Sequence, residues 1–292
     1  MQNHIGEYSV VKMCKVLEVS KSGFYKWRQE QNSEKRRARQ AWQEELKQKI
    51  KRSYYESYGL YGSPRIHQDL KSWGYSVSER TIGKLMKEMG LSASPKEKFV
   101  VTTDSNHDQD VYPNHLNRTF DVDAPNEAWV SDITYIRTRE GWLYLASVMD
   151  LFSRKIVGWS LDSTMKKELP LDALQQALLL RNPTGPLIHH SDRGSQYCAD
   201  DYTKELDRHQ IQISMSRKGD PYDNACIESF HATLKKELVY RHHFSTREEA
   251  RKEISRYIGE FYNLRRRHST LGYLSPVAYE KKHQASSRKT VS

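Results

Sequence analysis

Three acids in this sequence, Asp132, Asp192 and Glu228, could do chemistry together although each alone reads as ordinary surface, turn or cap. Asp132 lies inside the β-rich run "WVSDITYI", on one face with Val130 and Thr134. Aspartate is depleted in strands and costs free energy to bury unless it is paired or bound to a cation. Asp192 closes the apolar run "PLIHHSD", and open α/β sheets place their sites at the carboxyl ends of strands. Glu228 lies in "DNACIESFHATLKKEL". At about 100° per residue, Ile227, Phe230, Leu234 and Leu238 form an apolar stripe, and Glu228, His231 and Lys235 share the face beside it. Three carboxylates from two strands and one packed helix suit a pair of hard divalent cations. Mg²⁺ is the expected ion and Mn²⁺ its substitute, because Mg²⁺ takes oxygen ligands and keeps part of its water shell. Two such ions activate an attacking oxygen and stabilise the leaving oxygen of an in-line phosphoryl transfer. On this reading Lys235 and His231 stand on an accessible rim and contact DNA, Lys235 by holding a phosphate near the cations.

Two of these acids require a sheet. Within "NEAWVSDITYIRTREGWLYLASVMDLFSRKIVGWSL", three β-rich runs at about 128–137, 142–151 and 155–161 are joined by short connectors, the pattern of an antiparallel meander. A helix over "LPLDALQQALLLR", a strand in "GPLIHHSD", a helix over about 199–209 and a short strand "IQISMS" follow. Strands alternating with helices predict an α/β domain with a mixed five-stranded sheet. From "DNACIES" onward the chain reads as mainly helical.

The N-terminal third reads as helices of a different kind. In "YSVVKMCKVLEVSKSGFYKWRQ", Val10, Met13, Cys14 and Leu17 keep helical spacing, and Ser20 can cap a second helix. That outlines a helix-turn-helix presenting Lys21, Ser22, Tyr25 and Lys26 outward, a set suited to phosphates and base edges. In "YGSPRIHQDLKSWGYSVSERTIGKLMKEMGLS", Ser63 and Pro64 make a cap and first-turn pair, Gly74 breaks that helix, Ser78 caps the next and Gly90 ends it. Arg80, Thr81, Lys84 and Lys87 are left facing outward. Residues 92–120 are polar and without period, which predicts a linker.

Charge is segregated along the 292 residues, whose formal net charge is +10. Lys and Arg outnumber Asp and Glu by 20 to 11 over residues 1–100 and by 10 to 3 over 251–292, whereas over 121–250 the balance is 16 to 20. Basic flanks around an acidic centre point to a polyanionic partner. Arg265, Arg266 and Arg267 in the C-terminal flank are candidate DNA contacts. No apolar run approaches the roughly 20 residues that span a bilayer, and "MQNHIGEYSV" has no secretory signal. The expected place is the cytoplasm. Three cysteines without a CxxC pair indicate neither a disulfide framework nor a cysteine zinc site, and no GxxxxGK[ST] loop points to ATP.

The strings "WVSDITYI", "LYLASVMDLFSRKIVGW", "HSDRGSQY", "DNACIESFHATLKKEL" and "YNLRRRHSTLGYLSP" resemble the DDE transposases of bacterial insertion sequences, specifically the second-frame product of the insertion-sequence-three group. The 35 residues between Asp192 and Glu228 match that family's gap, and Lys235 stands where it keeps a basic residue. The resemblance implies a ribonuclease-H-like core shared with retroviral integrases, with Asp132, Asp192 and Glu228 as the catalytic, Mg²⁺-binding triad. It also implies double-stranded DNA as partner, both element terminal inverted repeats and target, a homo-oligomer on DNA, an upstream-frame product or fusion, and a place at the nucleoid of a bacterial cytoplasm. The integrases' N-terminal zinc module is missing, so zinc is not carried over. The expected organisation is a helix-turn-helix at 1–30, a helical linker at 31–60, a second helix-turn-helix at 61–95, a linker at 96–120, the catalytic core at 121–242 and a basic helical region at 243–292.

Three functions compete on these residues. One is a transposase that nicks element ends and joins the freed 3′-hydroxyl to target DNA. Another is a nuclease using the same triad with water as its nucleophile, and the third a DNA-binding regulator with a decayed core. The intact acids oppose the regulator, and the helix-turn-helix pair with the basic tail favours the transposase over the nuclease.

Overall fold

The computed structural model describes residues 1–31, 33–93, 111–217 and 220–290. They fall into two units, Met1–Ala93 and Ser94–Ser292. The first part of the expected linker, 96–110, lies outside the described residues.

In the first unit, α1 (Val10–Val16) begins at Ser9, whose hydroxyl accepts the Lys12 N–H, and α2 (Lys21–Gln31) begins after Ser20, whose Oγ accepts the Gly23 N–H at 3.0 Å. Each hydroxyl satisfies one of the orphan donors of a first turn. Cys14 and Phe24 are buried, while Lys21, Ser22, Tyr25 and Lys26 are exposed. The next three helices are α3 (Glu34–Glu56), α4 (Ser63–Ser72) and α5 (Glu79–Glu88), which pack on one another. They bury Leu46, Ile50, Ile66, Leu70, Ile82, Leu85 and Met86. Ser53 Oγ donates to Asp69 Oδ2 at 2.6 Å and the Tyr75 hydroxyl to Glu45, so α3 is held to the elements that follow it. The stretch expected as a helical spacer is thus the third wall of a three-helix body. Ser78 caps α5 through the Thr81 N–H, as expected, whereas Gly62 takes the cap position of α4 and Ser63 is its first residue.

The second unit is built on β1 (Ala128–Thr138), β2 (Gly141–Asp150), β3 (Lys155–Asp162), β4 (Ile188–Ser191) and β5 (Gln212–Met215). The sheet order is β3-β2-β1-β4-β5; the meander pairs are antiparallel, and β1–β4 and β4–β5 are parallel. This is the mixed five-stranded sheet that the alternation of elements predicts. Helices α6 (Glu168–Arg181) and α7 (Asp200–Arg208) stand between the parallel strands in sequence. A Cβ on Gly158 of β3 would lie 2.1 Å from the Ala173 carbonyl of α6, so only glycine permits that approach.

Side chains alternate faces along a strand. Trp129, Ala146, Val148 and Val157 pack with Leu169, Ala173, Leu174 and Ala177 of α6. Asp132 and its cross-strand partner Ser147 therefore belong to the opposite face, where α8 (Ala225–Glu237) meets β1 and β2. There Ile227, Phe230 and Leu234 are buried, as the helical wheel requires.

Both sheet edges are covered. Ser214 Oγ of β5 accepts the His115 and Leu116 N–H groups, and the Met215 N–H donates to the Pro113 carbonyl, so 113–116 belong to the core rather than to a free linker. At β3 the Asn263 side chain accepts the Ile156 N–H at 3.0 Å and donates to its carbonyl at 2.9 Å, imitating a neighbouring strand. The C-terminal region is likewise packed: α9 (Arg247–Arg256) runs on as a π-helix over Tyr257–Tyr262 and buries Ile254, Ile258 and Phe261. Glu280 of α10 (Pro276–Thr290) accepts from Ser153, Lys155 and Arg181. Among the described residues no helix is long and apolar enough to cross a membrane.

Candidate active site

The parallel register of β1 and β4 pairs Ala128 with Ile188 and Val130 with His190. Two residues further on each segment carries an aspartate, Asp132 within β1 and Asp192 one residue past the end of β4. There β4 ends at Ser191 while β1 continues to Thr138, which leaves one flank of β1 open at the acids. Asp192 Oδ1 accepts the Gly194 N–H at 2.9 Å as the chain turns away.

Glu228 stands exposed in the first turn of α8, where a helix dipole favours an anion. Burial of part of its carboxyl, and then the negative charge of Asp132, raise its pKa above the ordinary 4.5. The third acid thus lies within electrostatic reach of the first.

Two residues just ahead of α8 pin its start. Asn224 Nδ2 donates to the carbonyl of Ser131, beside Asp132, at 3.0 Å. The Asp223 side chain has no exposed surface; it accepts two bonds from the Arg217 guanidinium, one from Arg118 Nε and one from Asn114 Nδ2. Those bonds, Arg217's first, hold its carboxyl far below the usual carboxylate range. Neither residue was singled out by spacing, although both sit in the quoted string "DNACIES".

The two other residues on the Glu228 face are not on an accessible rim. His231 is 5% exposed, with Nδ1 3.3 Å from Asp132 Oδ2 and Nε2 2.7 Å from Ser147 Oγ. Lys235 is 8% exposed, and its Nζ lies 4.4 Å from the centre of the Tyr135 ring. Burial lowers the Lys235 pKa, and the Asp132 charge opposes that shift. The wheel separates a helix's own stripe from its flank, but β1 and β2 also cover that flank.

Tyr197, in the string "HSDRGSQY", is a further member that spacing did not reveal. It is 2% exposed, and its hydroxyl has no hydrogen-bond partner among the described residues. Burial first, then Tyr202, Asp132 and Asp192, push its pKa well above the ordinary value. An orphaned, enclosed hydroxyl that feels the charge of both aspartates fits a place where a bound water completes the bonding. Among the described residues, however, no three His, Cys, Asp or Glu side chains are gathered tightly enough to hold a metal ion.

The remaining candidates divide by exposure. Arg80, Lys84 and Lys87 are exposed on α5, and Arg80 and Lys84 line a groove of about 440 Å³ together with Arg39 of α3. Arg265 is exposed. Arg266 is not available to DNA: it is buried, with Nε and Nη2 donating to the two Glu237 oxygens at 2.8 and 2.7 Å. Arg267, half-buried, donates to the Tyr273 carbonyl.

Comparison with known proteins agrees with this architecture. Residues 122–221 and 209–276 match integrase core domain models, and residues 41–99 match an HTH-like domain. The mixed sheet with its flanking helices and the integrase-core match define the class, a ribonuclease-H-like integrase core preceded by a helical HTH-like domain. The chain is 41% identical to the transposase InsF for insertion sequence IS3A of Escherichia coli (strain K12), covering 98% of each chain. It is 45% identical to the insertion element IS600 uncharacterized 31 kDa protein of Shigella sonnei, over 93% of this chain and 99% of that one. The chain belongs to the IS3-type insertion-sequence transposases. Among solved structures it is similar to the catalytic core domain of HTLV-2 integrase, with a TM-score of 0.41 at 16% identity, covering 54% of this chain and 97% of that one.

Proposed function

We propose that this transposase cleaves DNA at the ends of its element and then uses the freed 3′-hydroxyl to attack a target phosphodiester, with Asp132, Asp192 and Glu228 as the ligands of two divalent cations, Mg²⁺ or Mn²⁺. The observation that carries the proposal is the parallel register of β1 and β4, which puts Asp132 in β1 and Asp192 just past the end of β4 at equal distance from the last paired residues, with the Glu228 pKa raised by burial and then by the Asp132 charge. Carboxylates are the donors a hard cation takes, and the orphaned Tyr197 hydroxyl fits a bound water within the field of both aspartates. When bound, such cations supply charge neutralisation at the phosphate and activation of the attacking oxygen.

The chain's own residues do the rest. Asp132 is carried by β1, Asp192 by the turn that leaves β4, and Glu228 closes the site from α8. Asn224 and Asp223 fix where that helix begins, so Glu228 stands at the mouth of the site and the three carboxylates draw together on the bound cations. Lys235, held against Tyr135, places a buried positive charge beside Asp132. Element ends are recognised by the exposed residues Lys21, Ser22, Tyr25 and Lys26 of α2 and Arg80, Lys84 and Lys87 of α5, with Arg265 and Arg267 as further phosphate contacts. The working assembly is a homo-oligomer on DNA together with an upstream-frame product or fusion.

Incubating the chain with labelled element-end DNA, a target duplex and Mg²⁺ tests this reading. Strand-joined products are expected. Hydrolysis without joining would make it a nuclease, and binding without cleavage a regulator.

A further inference from the structure

His231 stands directly against one of the acids, and DNA cannot reach it at 5% exposure. Its two ring nitrogens meet Asp132 Oδ2 and Ser147 Oγ, at 3.3 and 2.7 Å. Those two residues are themselves cross-strand partners on β1 and β2. The imidazole therefore bridges a single cross-strand pair from the helix above it. A carboxylate only accepts, so a hydrogen bond to Asp132 needs the proton on Nδ1, the tautomer in which Nε2 accepts the Ser147 hydroxyl. The neighbouring Phe230 ring packs on Tyr262 at 4.7 Å, which fixes the helix backbone on which His231 stands. His231 also lies one turn after Glu228 on α8, so one helix carries one acid and touches another.

We infer that His231 is a positioning residue for Asp132: braced by Ser147, it holds the carboxylate in the orientation that a divalent cation requires. This rests on Asp132 being a cation ligand. Groups that orient a ligating carboxylate typically change metal affinity or activity about 10- to 100-fold when removed, because a carboxylate free to rotate loses alignment with its neighbours. The sheet fixes the backbone at Asp132; His231 and Ser147 fix its side chain. Nothing in this role requires contact with DNA, which separates it from a phosphate-binding histidine.

The test uses the full-length chain and Mn²⁺ as the probe. Calorimetric Mn²⁺ binding, affinity for element-end DNA, melting temperature and the Mg²⁺ dependence of cleavage are measured for the parent, His231→Ala, His231→Asn, Ser147→Ala and Asp132→Asn. His231→Ala is expected to weaken Mn²⁺ binding at least about tenfold and to raise the Mg²⁺ needed for half-maximal cleavage in step, with DNA affinity within about twofold of the parent. His231→Asn, which can place an N–H near the Nδ1 position, is expected to recover part of the loss. Ser147→Ala is expected to show a smaller loss of the same kind, and it decides the matter if the alanine variant at 231 does not fold. A merely structural histidine would lower the melting temperature without moving the cation dependence, and that result overturns the inference. So does loss of DNA affinity with Mn²⁺ binding unchanged. If Asp132→Asn abolishes cation binding while His231→Ala and Ser147→Ala match the parent, the ligand reading stands and the brace alone is wrong; if Asp132→Asn also matches the parent, both fall.

Discussion

The Lys235 ammonium lies 4.4 Å from the centre of the Tyr135 ring, buried beside a strand whose aspartate opposes the loss of its charge. A solvated phosphate clamp would instead leave its ammonium in water. Such a contact is worth about 0.5–2 kcal/mol depending on desolvation, and the stem adds packing. Lys235→Ala is therefore expected to lower both the melting temperature and the joining rate. Lys235→Met keeps most of the stem and removes the charge, so it should melt close to the parent while joining remains impaired. Measuring both quantities on both variants separates packing from charge; a methionine variant that joins at the parent's rate would show the charge to be dispensable.

Glu228 gives a prediction with a sign. Its folded pKa is raised above 4.5 by burial and by Asp132, so protonation favours the folded state. The associated stability is fully present below the unfolded value and is lost as pH rises through the folded one. At neutral pH the ionised carboxyl is therefore a cost that Glu228→Gln removes. The glutamine variant is expected to melt at or slightly above the parent near pH 7, with the difference shrinking as the pH falls through the raised folded value and gone below 4.5. It should nonetheless fail to cleave, as should Asp132→Asn and Asp192→Asn, while end-DNA affinity stays near that of the parent. Thermal melts across pH, paired with a cleavage assay, check both halves.

Local pattern revealed the elements and their chemistry-bearing members more fully than it revealed their partners. The three meander runs and the two short strands fall where β-rich composition and alternation placed them, because a strand's character is written in consecutive residues. Asp132 and Asp192 stood out because acids are out of place in apolar runs. His231, Lys235 and Arg266 were misjudged for one shared reason: what covers them lies far away in sequence. Ser147 is 84 residues from His231 and Glu237 is 29 from Arg266, and no periodicity reports such pairings. The second half of α3 read as a spacer because Leu46 and Ile50 are nearly lost among charges, although both are fully buried.

Asp223 tests whether the start of α8 is held by its ion cluster. Arg217 and Arg118 are about half exposed, so screening reduces what each pair contributes. The carboxylate itself is fully enclosed, and replacing it leaves its donors poorly matched. Asp223→Asn is expected to cost about 1–3 kcal/mol and to reduce cleavage through misplacement of Glu228. Because the folded pKa is depressed, the contribution is present above the unfolded value of 3.8 and is shed as the pH falls below it. The parent's advantage over the asparagine variant in melting temperature should accordingly narrow in acid. An advantage that stays constant down to pH 3 would contradict the ionic origin of the clamp.

The exposed cations of the N-terminal unit make a prediction that depends on salt. Lys26 on α2 and Arg80 and Lys84 on α5 are open to solvent, and the last two share a groove with Arg39. A side chain that neutralises one phosphate releases condensed counterions, so its removal should reduce the slope of log affinity against log salt by about 0.9. A contact to a base edge behaves differently, costing about 1–3 kcal/mol at the correct sequence and little on unrelated DNA. Lys26→Ala, Arg80→Ala and Lys84→Ala in the full-length chain, titrated with end DNA and with scrambled DNA at several salt concentrations, sort the three residues into these two roles. Each is expected to weaken binding to end DNA while leaving the melting temperature unchanged, since the side chains are exposed. Lys84 lies 4.0 Å from Glu88, which holds part of its charge, so its effect should be smaller than that of Arg80. If all three variants bound end DNA at the parent's affinity and slope, recognition would have to lie outside these helix faces.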